Sequence, residues 1–297
     1  MRGYGGRRAR VAFRQALGSI YVPTIAMYVW VSADTASDPI ETLEKRTALV
    51  DYCVANDVTL VLLDMYQYLG SSNDTPTHRT RMRALLSALN VEGIETHALA
   101  GAPDWIEPGT LPWIQTNIID KIQDFNTTGL SNQRFAGMNF DIEYWIDVGT
   151  DVVHALTGTK AVVDAFRATT GLPAGCFAPS FILDYVSSRA SVLFDGTTKQ
   201  DGRHMCDFSD YVIVGTYADS GAEQIQLMNA WVTYADATAG VVVWASSETG
   251  DLGDISYWGG SKATMVAQQA ILVAEYPNDR AFGGVAVHDY ANWKLLV

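Results

Sequence analysis

Two hydrophobic periods alternate along this chain: short continuous apolar runs, and longer stretches whose apolar side chains recur at helical spacing. The runs predict strands at Thr24–Val31, Val58–Asp64, Glu92–Ala100, Phe135–Trp145, Ala174–Pro179, Tyr211–Tyr217, Val241–Ser246 and Phe282–Tyr290. Val58–Asp64 is continuous in β-branched residues and leucine, as expected of a strand buried on both faces. Between the runs lie helical stripes. Asp38-Pro39 offers an N-cap and a first-turn proline to a helix carrying Ile40, Leu43, Val50 and Val54. Thr75-Pro76 caps one with Met82, Leu85, Leu86 and Leu89 inward, and the next shows Ile114, Ile118, Ile122 and Phe125. Further helices are predicted near Val152–Thr170, closed by Gly171, around Ala222–Ala235 and around Lys262–Tyr276. The stretch from Phe181 to Phe208 predicts no strong helix.

Eight strands, each but the last followed by a helix or a helix-length segment, predict an α/β chain closed into a single (β/α)8 TIM barrel. A doubly wound open sheet would need a glycine-rich phosphate loop after the first strand, and Trp30-Val31-Ser32-Ala33 is not one. We expect one barrel domain over residues 21–297 of the 297, preceded by an Arg-rich extension over 1–20.

Charge narrows the function classes. A net charge of −13 disfavours nucleic acid and anionic membrane as partners, and no apolar run approaches the roughly 18 residues of a membrane span. Arg2, Arg7, Arg8, Arg10 and Arg14 precede the first acid, Asp34. Arg7-Arg8 with the apolar stretch Ile20–Val31 has the outline of an export signal. Pro23, Arg14 and the need for Thr24–Val31 as a strand favour an uncleaved basic extension instead. Cys53, Cys176 and Cys206 are too scattered for a disulfide framework or a metal site, and Cys53 and Cys176 fall in core patterns. His78, His97, His154 and His204 also lack ligand spacing, so neither metal nor cofactor is expected.

The densest chemistry is in the fourth run, FAGMNFDIEYW. Alternation puts Asn139, Asp141 and Glu143 on one side, with the two carboxylates roughly 6–7 Å apart. Such a pair can separate its pKa values and serve in glycosidic bond cleavage. The plain alternative is a solvated strand end, but acids at the tip of a buried strand are costly unless used. Other strand ends carry Tyr28, Asp64, Tyr66, Tyr68, Asp104, Trp105, Tyr217, Asp219, Trp244, Glu248 and His288-Asp289-Tyr290 with Trp293. Rings beside acids suit carbohydrate, with Trp145, Trp244 and Trp293 as candidate sugar contacts and Trp30, Trp113 and Trp231 as core or helix-packing residues.

FAGMNFDIEYW resembles the strand-four signature Asp-x-x-Asp-x-Asp-x-Glu of the family 18 glycoside hydrolases, the chitinases and endo-β-N-acetylglucosaminidases. Tyr211–Tyr217 with Asp210 (DYVIVGTY) resembles that family's strand ending in Met-x-Tyr-Asp, and GGVAVHD resembles its closing strand. The resemblance implies that Glu143 is the general acid/base, that Asp141 orients the substrate N-acetyl group and that Tyr217 bonds its carbonyl. The sugar itself would be held by Asn139, Tyr144, Trp145, Asp219, Trp244, His288, Asp289, Tyr290 and Trp293. It further implies a retaining, substrate-assisted mechanism, a glycan partner and an extracellular or cell-surface setting. Ala136 and Asn139 replace the first two acids of the signature, Gly215 the Met, Ala218 the Asp and His288 the stacking Trp. Two other readings fit the same residues. One is a lectin-like barrel without catalysis; the other is a two-carboxylate glycosidase using Asp64, Asp219, Glu248 or Asp289 as its second group.

Overall fold

The computed structural model describes residues 24–70, 73–146, 151–183, 190–238, 240–277 and 279–297; the basic extension expected over 1–20 lies outside them. Eight parallel strands close into a barrel: β1 (Thr24–Val29), β2 (Val58–Asp64), β3 (Glu95–Ala100), β4 (Gly137–Phe140), β5 (Ala174–Pro179), β6 (Tyr211–Gly215), β7 (Val242–Glu248) and β8 (Phe282–His288). They pair in chain order, and β8 returns to β1 through Thr24 opposite Gly284. The fold is the expected (β/α)8 barrel.

Strand alternation builds two apolar layers. Ala26, Tyr28, Leu60, Leu62, Leu99, Phe177, Tyr211, Ile213, Trp244 and Ala286 fill the barrel interior. Met27, Val29, Val61, Leu63, Ala98, Val243 and Val285 face the surrounding helices.

Among the described residues the helices of eight residues or more are α1 (Leu43–Ala55), α2 (Pro76–Val91), α3 (Asp120–Thr128), α4 (Val152–Thr170), α5 (Asp201–Phe208), α6 (Gly221–Ala237) and α7 (Lys262–Glu275). Thr75 caps α2 by accepting the His78 N–H, and Gly171 ends α4 in the left-handed region at φ 71°. The predicted inner faces of α2 and of the segment containing Ile114, Ile118, Ile122 and Phe125 are fully buried. All three cysteines are buried and free.

Three expectations change. The first helix is capped by Thr42, not Asp38, and Leu43 and Val54 face solvent while Leu49, Val50 and Cys53 face the core. Asp38 is instead buried, accepting from the Ile40 N–H at 2.9 Å and the Tyr68 hydroxyl at 2.6 Å. Phe181–Phe208 contains α5 and a hairpin of Val192–Phe194 with Thr197–Lys199. The fourth strand is only Gly137–Phe140, because its ladder with β3 ends at the pair Ala100–Phe140. Among the described residues, no helix is long and apolar enough to cross a membrane.

Candidate active site

The early end of β4 places the two carboxylates on the barrel rim rather than in the sheet. The Asp141 N–H still donates to the Ala100 carbonyl at 3.1 Å, and the alternation continues past the strand. Ile142 and Tyr144 stay buried while Asp141 and Glu143 turn to the mouth. Gly101 permits this crossing: a Cβ there would lie 2.0 Å from the Asp141 carbonyl oxygen.

Asp141 and Glu143 line a cavity of about 410 Å3 together with Tyr28, Trp30, Phe177, Tyr217, His288 and Asp289. Burial, reinforced by the Glu143 charge and opposed by His288, pushes the Asp141 carboxyl up to about 7. Burial also raises Glu143, again opposed by His288. The alternation of the two acids suggests mutual repulsion as the cause of separated pKa values. Here burial is the main cause for both, and Asp141 lies deeper. Tyr28 and Tyr217 are raised well above the ordinary phenol, first by burial and then by neighbouring acids, so both remain hydroxyl donors. Two polar atoms on this cavity's lining residues are buried without a protein partner: Asp141 Oδ1 and the Tyr28 hydroxyl.

His288 is held from both ring nitrogens. Its Nδ1 lies 2.8 Å from Glu248 Oε2, and its Nε2 accepts the Trp30 indole N–H at 2.9 Å. An imidazole that accepts at Nε2 carries its proton at Nδ1, so His288 donates to Glu248 in this arrangement. Burial opposes the charged ring, but the Glu248 bond and the charges of Glu248, Asp289 and Asp141 outweigh it and raise the His288 pKa. The Trp30 bond works in the other direction, because only the neutral ring can accept it. Glu248 is buried, and its other oxygen accepts the Thr249 N–H at 2.8 Å.

Of the residues expected at the site, Asp141, Glu143, Tyr217, His288 and Asp289 come together. Trp145 stands behind them, half-buried against Tyr144 and Phe177, with ring centroids 5.0 and 6.1 Å away. The others do not reach the cavity. Asn139 is buried in β4, and its amide lies beside the Tyr211 phenol. Tyr144 points outward, its hydroxyl 3.4 Å from Asp201. Trp244 is packed inside the barrel, and Asp219 is exposed on the loop before α6. Tyr290 and Trp293 pack on Tyr52 of α1, each at 5.4 Å, because the chain turns away from the mouth after Asp289.

Two tryptophans are placed differently from the sequence expectation of core or helix packing, and one further ring, Phe177, was not singled out. Trp30 and Trp113, expected in the core, are 37% and 43% exposed and line mouth cavities; Trp231 is buried as expected. Phe177 reaches the site because Gly215 makes room: a Cβ there would lie 2.9 Å from its Cζ. The signal for Phe177 was that missing side chain at position 215, one strand away.

No family model and no curated protein sequence matches the chain. Solved structures share its fold. A family 18 chitinase from Pseudoalteromonas aurantia aligns at TM-score 0.54 and 11% identity, over 90% of this chain and 94% of that one. A xylanase and α-amylase inhibitor protein from Scadoxus multiflorus aligns at 0.52 and 15%, over 93% and 95%. A family 26 endo-β-1,4-mannanase from Cellulomonas fimi aligns at 0.59 and 12%, over 96% of this chain and 68% of that one.

Proposed function

We propose that this chain is a glycoside hydrolase that cleaves β-linked N-acetylhexosamine-containing glycans with retention of configuration. The observation that carries this reading is the unmet hydrogen-bonding pair in the cavity, the Asp141 Oδ1 acceptor and the Tyr28 hydroxyl donor. An acetamido group supplies the complement of both in one planar unit, an N–H donor beside a carbonyl acceptor. Buried polar atoms without partners cost about 1–3 kcal/mol each, so a ligand that meets both gains affinity and orientation together. The chitinases and mannanase that share the barrel support a glycosidase at this rim.

In this mechanism the coupled carboxyls hold one proton between them near neutral pH. Asp141 takes the acetamido N–H as a carboxylate, which leaves the proton on Glu143. Glu143 donates it to the glycosidic oxygen as the acetamido carbonyl oxygen attacks the anomeric carbon and the leaving sugar departs. Asp141 balances the positive charge of the resulting oxazolinium ring, with Tyr217 and Tyr28 beside its oxygen. Glu143, now a carboxylate, takes a proton from water as that water opens the ring at the anomeric carbon. Two inversions at one carbon give retention, and the substrate takes the place of a second nucleophilic carboxylate.

The test is hydrolysis of N-acetylglucosamine oligomers and a peptidoglycan and N-glycan panel by wild type and Glu143→Gln, with product anomers followed by NMR. We expect retained β-product from wild type and a kcat loss of about 10²-fold or more in Glu143→Gln. Glycan binding by both proteins with cleavage by neither would replace this reading with a binding barrel, the reading that the inhibitor of the same fold favours.

A further inference from the structure

A second and larger cavity, about 530 Å3, opens beside the first, and Trp30 walls both. Its size is that of a site for a small ligand. Three of its walls are exposed rings, Trp30 at 37%, Tyr66 at 36% and Trp113 at 43%, with the buried Trp105 behind Trp113 at a centroid distance of 6.3 Å. The charged groups lining it are Asp64 and Asp104, and neither Lys, Arg nor His is among its lining residues. Asp64 is only 7% exposed and is oriented by the Tyr66 N–H at 2.9 Å. Burial pushes its carboxyl up to about 6 against the pull of the Tyr66 and Val31 N–H groups. No ion pair to either acid occurs among the described residues.

A neutral sugar can stack on the rings and donate hydroxyls to the acids, but it leaves the two carboxylates without a counter-charge. An ammonium group uses both, since aromatic faces and carboxylates attract a desolvated cation. We propose that this cavity is a glycan subsite selective for a hexosamine unit bearing a free 2-ammonium group, stacked on Trp30, Tyr66 or Trp113 with its charge facing Asp64 and Asp104. The inference rests on the glycosidase reading for its chain-like ligand. It adds that the substrate is a partly deacetylated glycan, with an acetylated unit at Asp141–Glu143 and a cationic one beside it.

Binding of two β-1,4-linked glucosamine oligomers of equal length, one fully N-acetylated and one carrying free amines, tests this by calorimetry on the Glu143→Gln protein at near-neutral pH. We expect the free-amine oligomer to bind more tightly by on the order of tenfold. That ratio would fall to about one in Asp104→Asn and in Asp64→Asn. Asn at position 64 keeps an acceptor for the Tyr66 N–H, and position 104 on the more open wall gives a second variant if the first does not fold. Equal affinities in the parent, no binding of either oligomer, or a preference that survives in both variants would overturn the subsite. The two readings fail separately. Hydrolysis of acetylated oligomers without amine preference removes only the subsite, and amine preference without hydrolysis of any panel member removes only the catalytic assignment.

Discussion

A carboxyl held at about 7 is a stored instability, and Asp141 carries it. An unfolded Asp titrates near 3.8, so between that value and about 7 the native chain binds the extra proton. Its stability therefore falls as pH rises through this window, with nothing lost below it. At about 1.4 kcal/mol per unit the penalty amounts to a few kcal/mol above neutrality. Asp141→Asn removes it: Tm rises at about pH 8 and hardly changes at about pH 4, while hydrolysis of acetylated oligomers collapses. A gain of equal size at both pH values would show that packing, not the charge, is responsible. The presence of this pair was legible in the sequence, because alternation alone puts both acids on one side. Which acid is the harder to ionise was not, since that depends on depth below the rim and on His288, which lies on another strand. Tyr28 was visible only as a strand-end residue; its unmet hydroxyl needed the assembled barrel.

The strands were readable from continuous apolar runs, and β2 and β5 begin and end where the pattern says. The misreadings gather at element ends. Asp38-Pro39 has the local chemistry of a helix start, yet Asp38 is engaged by Tyr68 thirty residues on, a contact that no local pattern reports. Trp30 and the Asp141–Glu143 segment read as strand continuations because hydrophobicity persists after the ladder has stopped. That overshoot is what forms the rim, and the crossing beneath it depends on Gly101. A methyl group there meets the Asp141 backbone, whose nearest atom lies 2.0 Å from the ideal Cβ position, so backbone rather than a flexible side chain must yield. We expect Gly101→Ala to destabilise the chain by about 1–3 kcal/mol in thermal or urea unfolding. It also displaces the carboxyl pair, and a shift of about 1 Å costs on the order of 10²-fold in kcat. Unchanged kcat in a folded Gly101→Ala protein would show that the rim tolerates the shift.

At the scale of the whole molecule, the alternation of strand and helix specified the barrel. The grouping of side chains from distant turns was hidden. The outer cavity draws on the ends of β1, β2 and β3 and on the segment before α3, so no stretch of sequence contains it. Tyr290 and Trp293 illustrate the converse, adjacent in sequence to Asp289 yet turned onto α1. Trp30 is common to both cavities, and we expect it to link their occupancies. Its indole can bond His288 only while the ring is neutral. A ligand that fixes Trp30 in the outer cavity therefore lowers the His288 pKa, and protonating His288 weakens that ligand by the same factor. NMR titration of His288 with and without a free-amine oligomer would display this as a downward shift, and Trp30→Phe would abolish it. A sugar in the outer cavity would thus be sensed in the inner one without touching either carboxyl, as reciprocal cooperativity carried by a single indole.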